Sequence, residues 1–123
     1  MTAAFRSAAL AFAADVVCVI AFVSVGRRNH AEGVTLVGIA ETAWPFLTGT
    51  VVGWLVSRGW RRPATPVPTG LIVWVCTVVV GMALRVASGE GIAFSFILVA
   101  TLVTGVLLVG WRAVRAGLSR RTH

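Results

Sequence analysis

The sequence contains no tyrosine and no lysine, and only four acidic residues, two histidines and two cysteines among its 123 residues. His30 and the terminal His123 cannot build a zinc site without further ligands. Cys18 and Cys76 both fall inside apolar runs, without metal-ligand spacing and away from any loop where oxidation would staple the chain, and read as packing residues. There is no serine–histidine–acid order, no glycine-rich phosphate loop, and no nucleophile–base pair for an intramembrane hydrolase. The expectation is therefore a protein that is not an enzyme and carries no metal and no cofactor. Charged residues make up 12% of the chain, half the share of an ordinary soluble domain.

Apolar residues fill the gap: 58% of the chain is hydrophobic, and its mean hydropathy is +0.92. A chain this short cannot enclose that much apolar surface in a water-soluble core, so the surplus must face lipid. Four apolar stretches run from about Ala4 to Val25, Val34 to Val56, Gly70 to Ala87 and Ile92 to Val114. Each is close to the ~20 residues that a helix needs to cross a ~30 Å hydrocarbon core. Backbone groups cannot stay unpaired in lipid, so the stretches must be helices. The stretch before Ala11-Phe12-Ala13 is too short for a cleaved leader, and the first run reads as a spanning helix.

The connections between the stretches are short, and that of 58–69 carries Pro63, Pro66 and Pro68, which stop helix continuation. Short links force neighbouring helices antiparallel. The predicted fold is all-α: a single up-down integral membrane bundle of four transmembrane helices, with a short basic tail at 115–123. The formal charge is +7, carried by eleven arginines. These sit at the edges of the apolar runs, which points to membrane topology rather than nucleic acid. Arg6, Arg58, Arg61, Arg62, Arg112, Arg115, Arg120 and Arg121 fall on one side, and Arg27, Arg28 and Arg85 on the other. Both termini are expected in the cytoplasm of a multi-pass protein of the inner (plasma) membrane. Trp54, Trp60 and Trp111 are expected near that interface. Leu47–Trp54 echoes Val103–Trp111, which fits either a duplicated hairpin or chance recurrence in apolar sequence.

Polar residues inside the runs cost free energy, so each requires a reason. Asp15 lies about ten residues from either end of the first run, roughly 15 Å deep and near the midplane. It reads either as a protonated side chain bonded to a hydroxyl such as Thr77 or Thr101, or as a proton- or substrate-binding carboxylate. Glu41, Pro45, Gly49 and Gly53 recur at four-residue spacing, joining a carboxylate, a helix kink and a small-residue packing seam. Arg85 aligns with Thr77 and Gly81 at a level similar to that of Glu41. An Arg85–Glu41 ion pair is expected, the alternative being an arginine that snorkels to the surface. Arg27, Arg28 and His30 add an outer cationic rim, which suits either a phosphate or carboxylate ligand or a solvated loop near anionic lipid.

Asp15, Gly26-Arg27 with His30, Trp44-Pro45-Phe46, Pro68-Thr69-Gly70, Gly81-Met82 with Leu84-Arg85, and Gly110-Trp111-Arg112 span nearly the whole chain. In this order the chain resembles an uncharacterised family of small four-helix prokaryotic membrane proteins, domain of unknown function 3054. The resemblance implies fold and membrane location and carries no activity. A formal likeness to small multidrug-resistance transporters also exists: four helices, similar length, an acid midway along the first. This chain has no tyrosine, whereas that family uses aromatic residues around its acid, and its arginine asymmetry departs from dual insertion, so the likeness is one of architecture.

Two functional classes remain. One is a small-solute or proton-coupled permease, a homo-oligomer with Asp15 as its midplane carboxylate and Glu41, Pro45 and Arg85 as an outer gate. The other is a non-transport scaffold, an accessory subunit of a membrane complex, or a lipid-carrier-binding protein. They differ in one demand: a transporter needs Asp15 to change state, and a scaffold needs it permanently satisfied.

Overall fold

A computed structural model describes residues 2–28, 36–90 and 94–121, and among them the regular structure is helical throughout. Four helices follow in chain order: α1 (Ala3–Arg28), α2 (Leu36–Ser57), α3 (Leu71–Ala87) and α4 (Phe94–Arg121). All four are long and apolar enough to span a membrane, over Ala3–Gly26, Leu36–Ser57, Pro66–Ala87 and Phe94–Ser119. The protein is an all-α, four-span membrane bundle.

Local chemistry sets the helix ends. Thr2 Oγ1 accepts the Phe5 N–H at 3.1 Å and caps α1. α2 stops where Arg58 turns left-handed (φ 52°), letting the Gly59 N–H close on the Trp54 carbonyl at 2.9 Å. Glycine is required at 59, because a Cβ there would lie 2.7 Å from Trp54 Cε3. The prolines then keep the linker out of helix: Val67 is extended (φ −130°, ψ 128°), and the Gly70 N–H closes on the Thr65 carbonyl at 2.9 Å just before α3 begins. α3 ends at Gly89, whose φ of +86° suits a residue without Cβ. Both outer helices outrun their apolar stretches. α4 continues to Arg121 rather than ending near Val114, since arginine, alanine and leucine are good helix formers after the hydrophobic signal has faded.

Two core clusters show the antiparallel run of the helices. One joins Val19, Phe22 and Val23 of α1 to Ala43 and Phe46 of α2, Met82 of α3 and Ala100 of α4. The other joins Ala11, Trp54, Val73 and Leu108, so it takes the start of α1, the end of α2, the start of α3 and the later part of α4. This second end, which also holds the 58–65 connection, is called the linker end below.

The closest approach is between α2 and α3. A Cβ at Gly49 would stand 2.6 Å from the Cys76 carbonyl oxygen, and one at Gly53 would stand 2.7 Å from Val73 Cα. The predicted small-residue seam is thus where the two backbones meet. Pro45 is buried on the same side, and α2 continues through it. Thr50 and Thr77 hydroxyls lie 2.8 Å apart across the seam, each also within reach of its own i−4 carbonyl, Phe46 and Val73 respectively. Two hydroxyl protons serve these three contacts, so the cross-helix bond is made by one hydroxyl at a time. Gly81 gives room to Phe46, and Gly105 to Trp74, which donates to the Thr101 carbonyl at 2.9 Å and ties α3 to α4. α4 is the most open helix: 17% of its apolar window is buried, against 39% for α2.

Candidate functional site

Asp15 and Arg112 are both fully buried, and they find each other from the first and last helices. The guanidinium is bidentate: Nη1 donates to Asp15 Oδ1 at 2.8 Å and Nη2 to Oδ2 at 2.7 Å. Trp111 Nε1 donates to Oδ1 at 2.9 Å, and Trp54 Nε1 to Oδ2 at 2.8 Å. Each carboxylate oxygen therefore accepts two N–H groups, and the acceptor capacity of an ionised aspartate is filled. Arg112 also donates through Nε to the Pro63 carbonyl at 2.9 Å and through Nη1 to the Leu108 carbonyl at 3.0 Å. Four of its five N–H groups are thus engaged.

The fold prepares this constellation in several ways. On α1, Ala11, Asp15, Val19 and Phe22 form one buried face, and small Ala11 lets α2 and α4 come near. Phe12 packs edge-on against the Trp54 ring at 5.4 Å, fixing the indole that reaches Asp15. The Arg112 guanidinium lies 4.5 Å from the Trp111 ring centre. Gly70, in the turn before α3, leaves space for the arginine stem, since a Cβ there would stand 2.9 Å from Arg112 Cδ. α1, α2, α4 and the linker all meet at one neutral cluster, a fork–fork pair of the kind that fixes orientation as well as charge.

Sequence reasoning expected a hydroxyl partner for Asp15, or a free carboxylate. Thr77 instead faces Thr50 and the Val73 carbonyl, and Thr101 bonds the Ile97 carbonyl. Arg112 was counted with the topology arginines, although it lies inside the fourth apolar run. A charge within a span needs a partner, and Asp15 was the matching acid. The depth also differs. Asp15 is central in α1, but α1 starts well before the level at which α2 ends. The partners of Asp15 are Trp54, three residues from the end of α2, and Arg112, itself bonded to linker residue Pro63. Asp15 thus lies toward the linker end rather than halfway along the bundle. Trp54 and Trp111, the last residues of the two echoing segments, converge on its two oxygens.

Among the described residues the ion pair seen is Arg112–Asp15, and none is seen between Arg85 and Glu41. Glu41 is exposed, while the half-buried Arg85 guanidinium stands 4.8 Å from the Phe96 ring centre. Pro45, Gly49, Gly53 and Gly81 are buried in the packing. His30 and the side chains of Arg27 and Arg28 lie outside the described residues, and with them the outer cationic rim.

Neither the curated proteins nor the solved structures contain a match to the chain. A family model does match, over residues 12–115, a span that holds every side chain of the Asp15 cluster. The chain belongs to that family, described as protein of unknown function (DUF3054).

Proposed function

We propose that the protein is a non-enzymatic membrane scaffold or accessory subunit, with the Asp15–Arg112 cluster as the clamp that fixes its helices. The observation that carries this reading is the saturation of Asp15 by four N–H donors. A proton- or solute-carrying carboxylate must exchange partners with water or substrate. To do so here, Asp15 would have to release two indoles and a bidentate arginine, leaving the arginine charge buried and unpaired. The permease reading rested on Asp15 as its carrier, and its outer gate on an Arg85–Glu41 pair. The scaffold reading needs neither. In this reading both termini are cytoplasmic, the membrane is the plasma membrane, and the bundle works as a homo-oligomer or within a larger complex.

The test is the unfolding midpoint of Asp15→Asn against wild type in one detergent, at pH 5 and pH 8. Asparagine keeps the shape but aims its NH2 group at N–H donors and removes the counter-charge. The expected result is a loss at both pH values, of the order of 3–5 kcal/mol for a broken buried pair. A variant as stable as wild type at pH 8 would overturn the clamp and return Asp15 to the permease.

A further inference from the structure

Beside the clamp, toward the linker end, lies a groove of about 120 Å³. It is lined by Leu10 and Ala11 of α1 and Pro63 and Ala64 of the linker, together with the polar Ser7 and Arg115 and the ring-bearing Trp111. We propose that this groove binds an anionic phospholipid, with the phosphate at Arg115 and Ser7 and the glycerol and first chain carbons against Leu10, Ala11, Pro63 and Ala64.

Charge argues for the head group. Arg6, Arg58, Arg61, Arg62 and Arg115 are all exposed at this end. Arg6 adjoins Ser7 in sequence, and Arg62 adjoins Pro63. Among the described residues the acids are Asp15, Glu41 and Glu90. Asp15 is already committed to Arg112, and Glu41 and Glu90 belong to the opposite end of the bundle. The patch is therefore uncompensated, the arrangement that draws anionic lipid to a membrane surface.

Depth agrees. The spans Leu36–Ser57 and Pro66–Ala87 are 22 residues each, about 33 Å of helix and close to the thickness of the hydrocarbon core. The linker between them, which supplies one side of the groove, therefore falls at head-group level.

The apolar lining residues argue for a lipid over a free anion. Leu10 lines the groove yet is 66% exposed, and Val114 and Leu118 are exposed on α4 to either side of Arg115. Apolar surface thus flanks the cation, and a ligand that matches both must carry a charge and hydrocarbon together. Trp111 belongs to both structures: it is among the residues lining the groove, and its Nε1 bonds Asp15. A lipid seated there would brace the clamp, although the proposal needs only the groove and the membrane, not the scaffold role.

The experiment measures the unfolding midpoint of the purified protein in detergent, titrated with dioleoyl phosphatidylglycerol, dioleoyl phosphatidylcholine or inorganic phosphate. The expected result is saturable stabilisation by phosphatidylglycerol alone. Arg115→Gln, an exposed position, should raise the half-saturating concentration about fivefold or more. Arg61→Gln, in the same patch but outside the groove, should change it less than twofold. Equal stabilisation by phosphatidylcholine, or equal loss in both variants, overturns the site in favour of unspecific lipid or diffuse charge. Stabilisation by inorganic phosphate at matching concentration overturns the lipid and leaves a soluble anion as the ligand.

Discussion

Arg112 illustrates how much one side chain's geometry decides. Its planar fork meets both oxygens of Asp15 and still reaches two carbonyls, which a lysine ammonium on a flexible stem cannot copy. Arg112→Lys should therefore lose stability nearly as Asp15→Asn does, although formal charge is kept; equal midpoints for wild type and Arg112→Lys would show that charge alone suffices. Trp54→Phe removes a donor to a charged acceptor and should cost about 1.5–3 kcal/mol, measured by the same unfolding. Asp15 was legible from sequence because an acid within an apolar run is conspicuous. Its partner was not, because the fourth run grades into an arginine-rich tail and Arg112 looked like part of that tail. Glu41 stands apart from its row for a different reason. A four-residue repeat on a 3.6-residue helix drifts about 40° per step, so a row of four residues turns through about 120°. Gly49 and Gly53 remain against α3, Pro45 is buried, and Glu41 has already rotated out to an exposed position.

At the scale of elements, α2 and α3 behave as one hairpin held by backbone contact. The neighbours of Gly49 are the carbonyl of Cys76 and the Cα of Thr77, neither of which can swing aside as a side chain does. Gly49→Ala should push the helices apart and cost about 1–3 kcal/mol. At Gly26 nothing lies within 4 Å of the added carbon, so Gly26→Ala should be neutral or slightly stabilising through helix propensity. Comparing the two midpoints isolates packing from propensity; an equal effect at both sites would remove the seam from the explanation. The helices themselves were readable because lipid leaves an apolar run of this length one structure to adopt. The turn at Pro66–Gly70 was not. Three prolines announce a break, but they do not say that Gly70 must also clear the stem of an arginine on α4.

For the whole molecule, orientation is the property on which the remaining readings turn, and the proposed orientation rests on counting cations by end. Arg112 leaves the group of topology charges because it is buried against Asp15, and the linker end still carries seven arginines by sequence against three on the opposite side. A bias of this kind in short loops favours the arginine-rich side facing the cytoplasm. Arg61 and Ser88 are both exposed and lie at opposite ends of the bundle. With Cys18 and Cys76 replaced by alanine, a cysteine introduced by Ser88→Cys should react with a membrane-impermeant maleimide added to intact cells. One introduced by Arg61→Cys should react only after the membrane is opened. The reverse pattern would place the arginine-rich groove outside the cell and contradict the inward assignment of both termini. It would leave the clamp itself untouched, since the bond between Asp15 and Arg112 depends on which helices meet and not on which side they face.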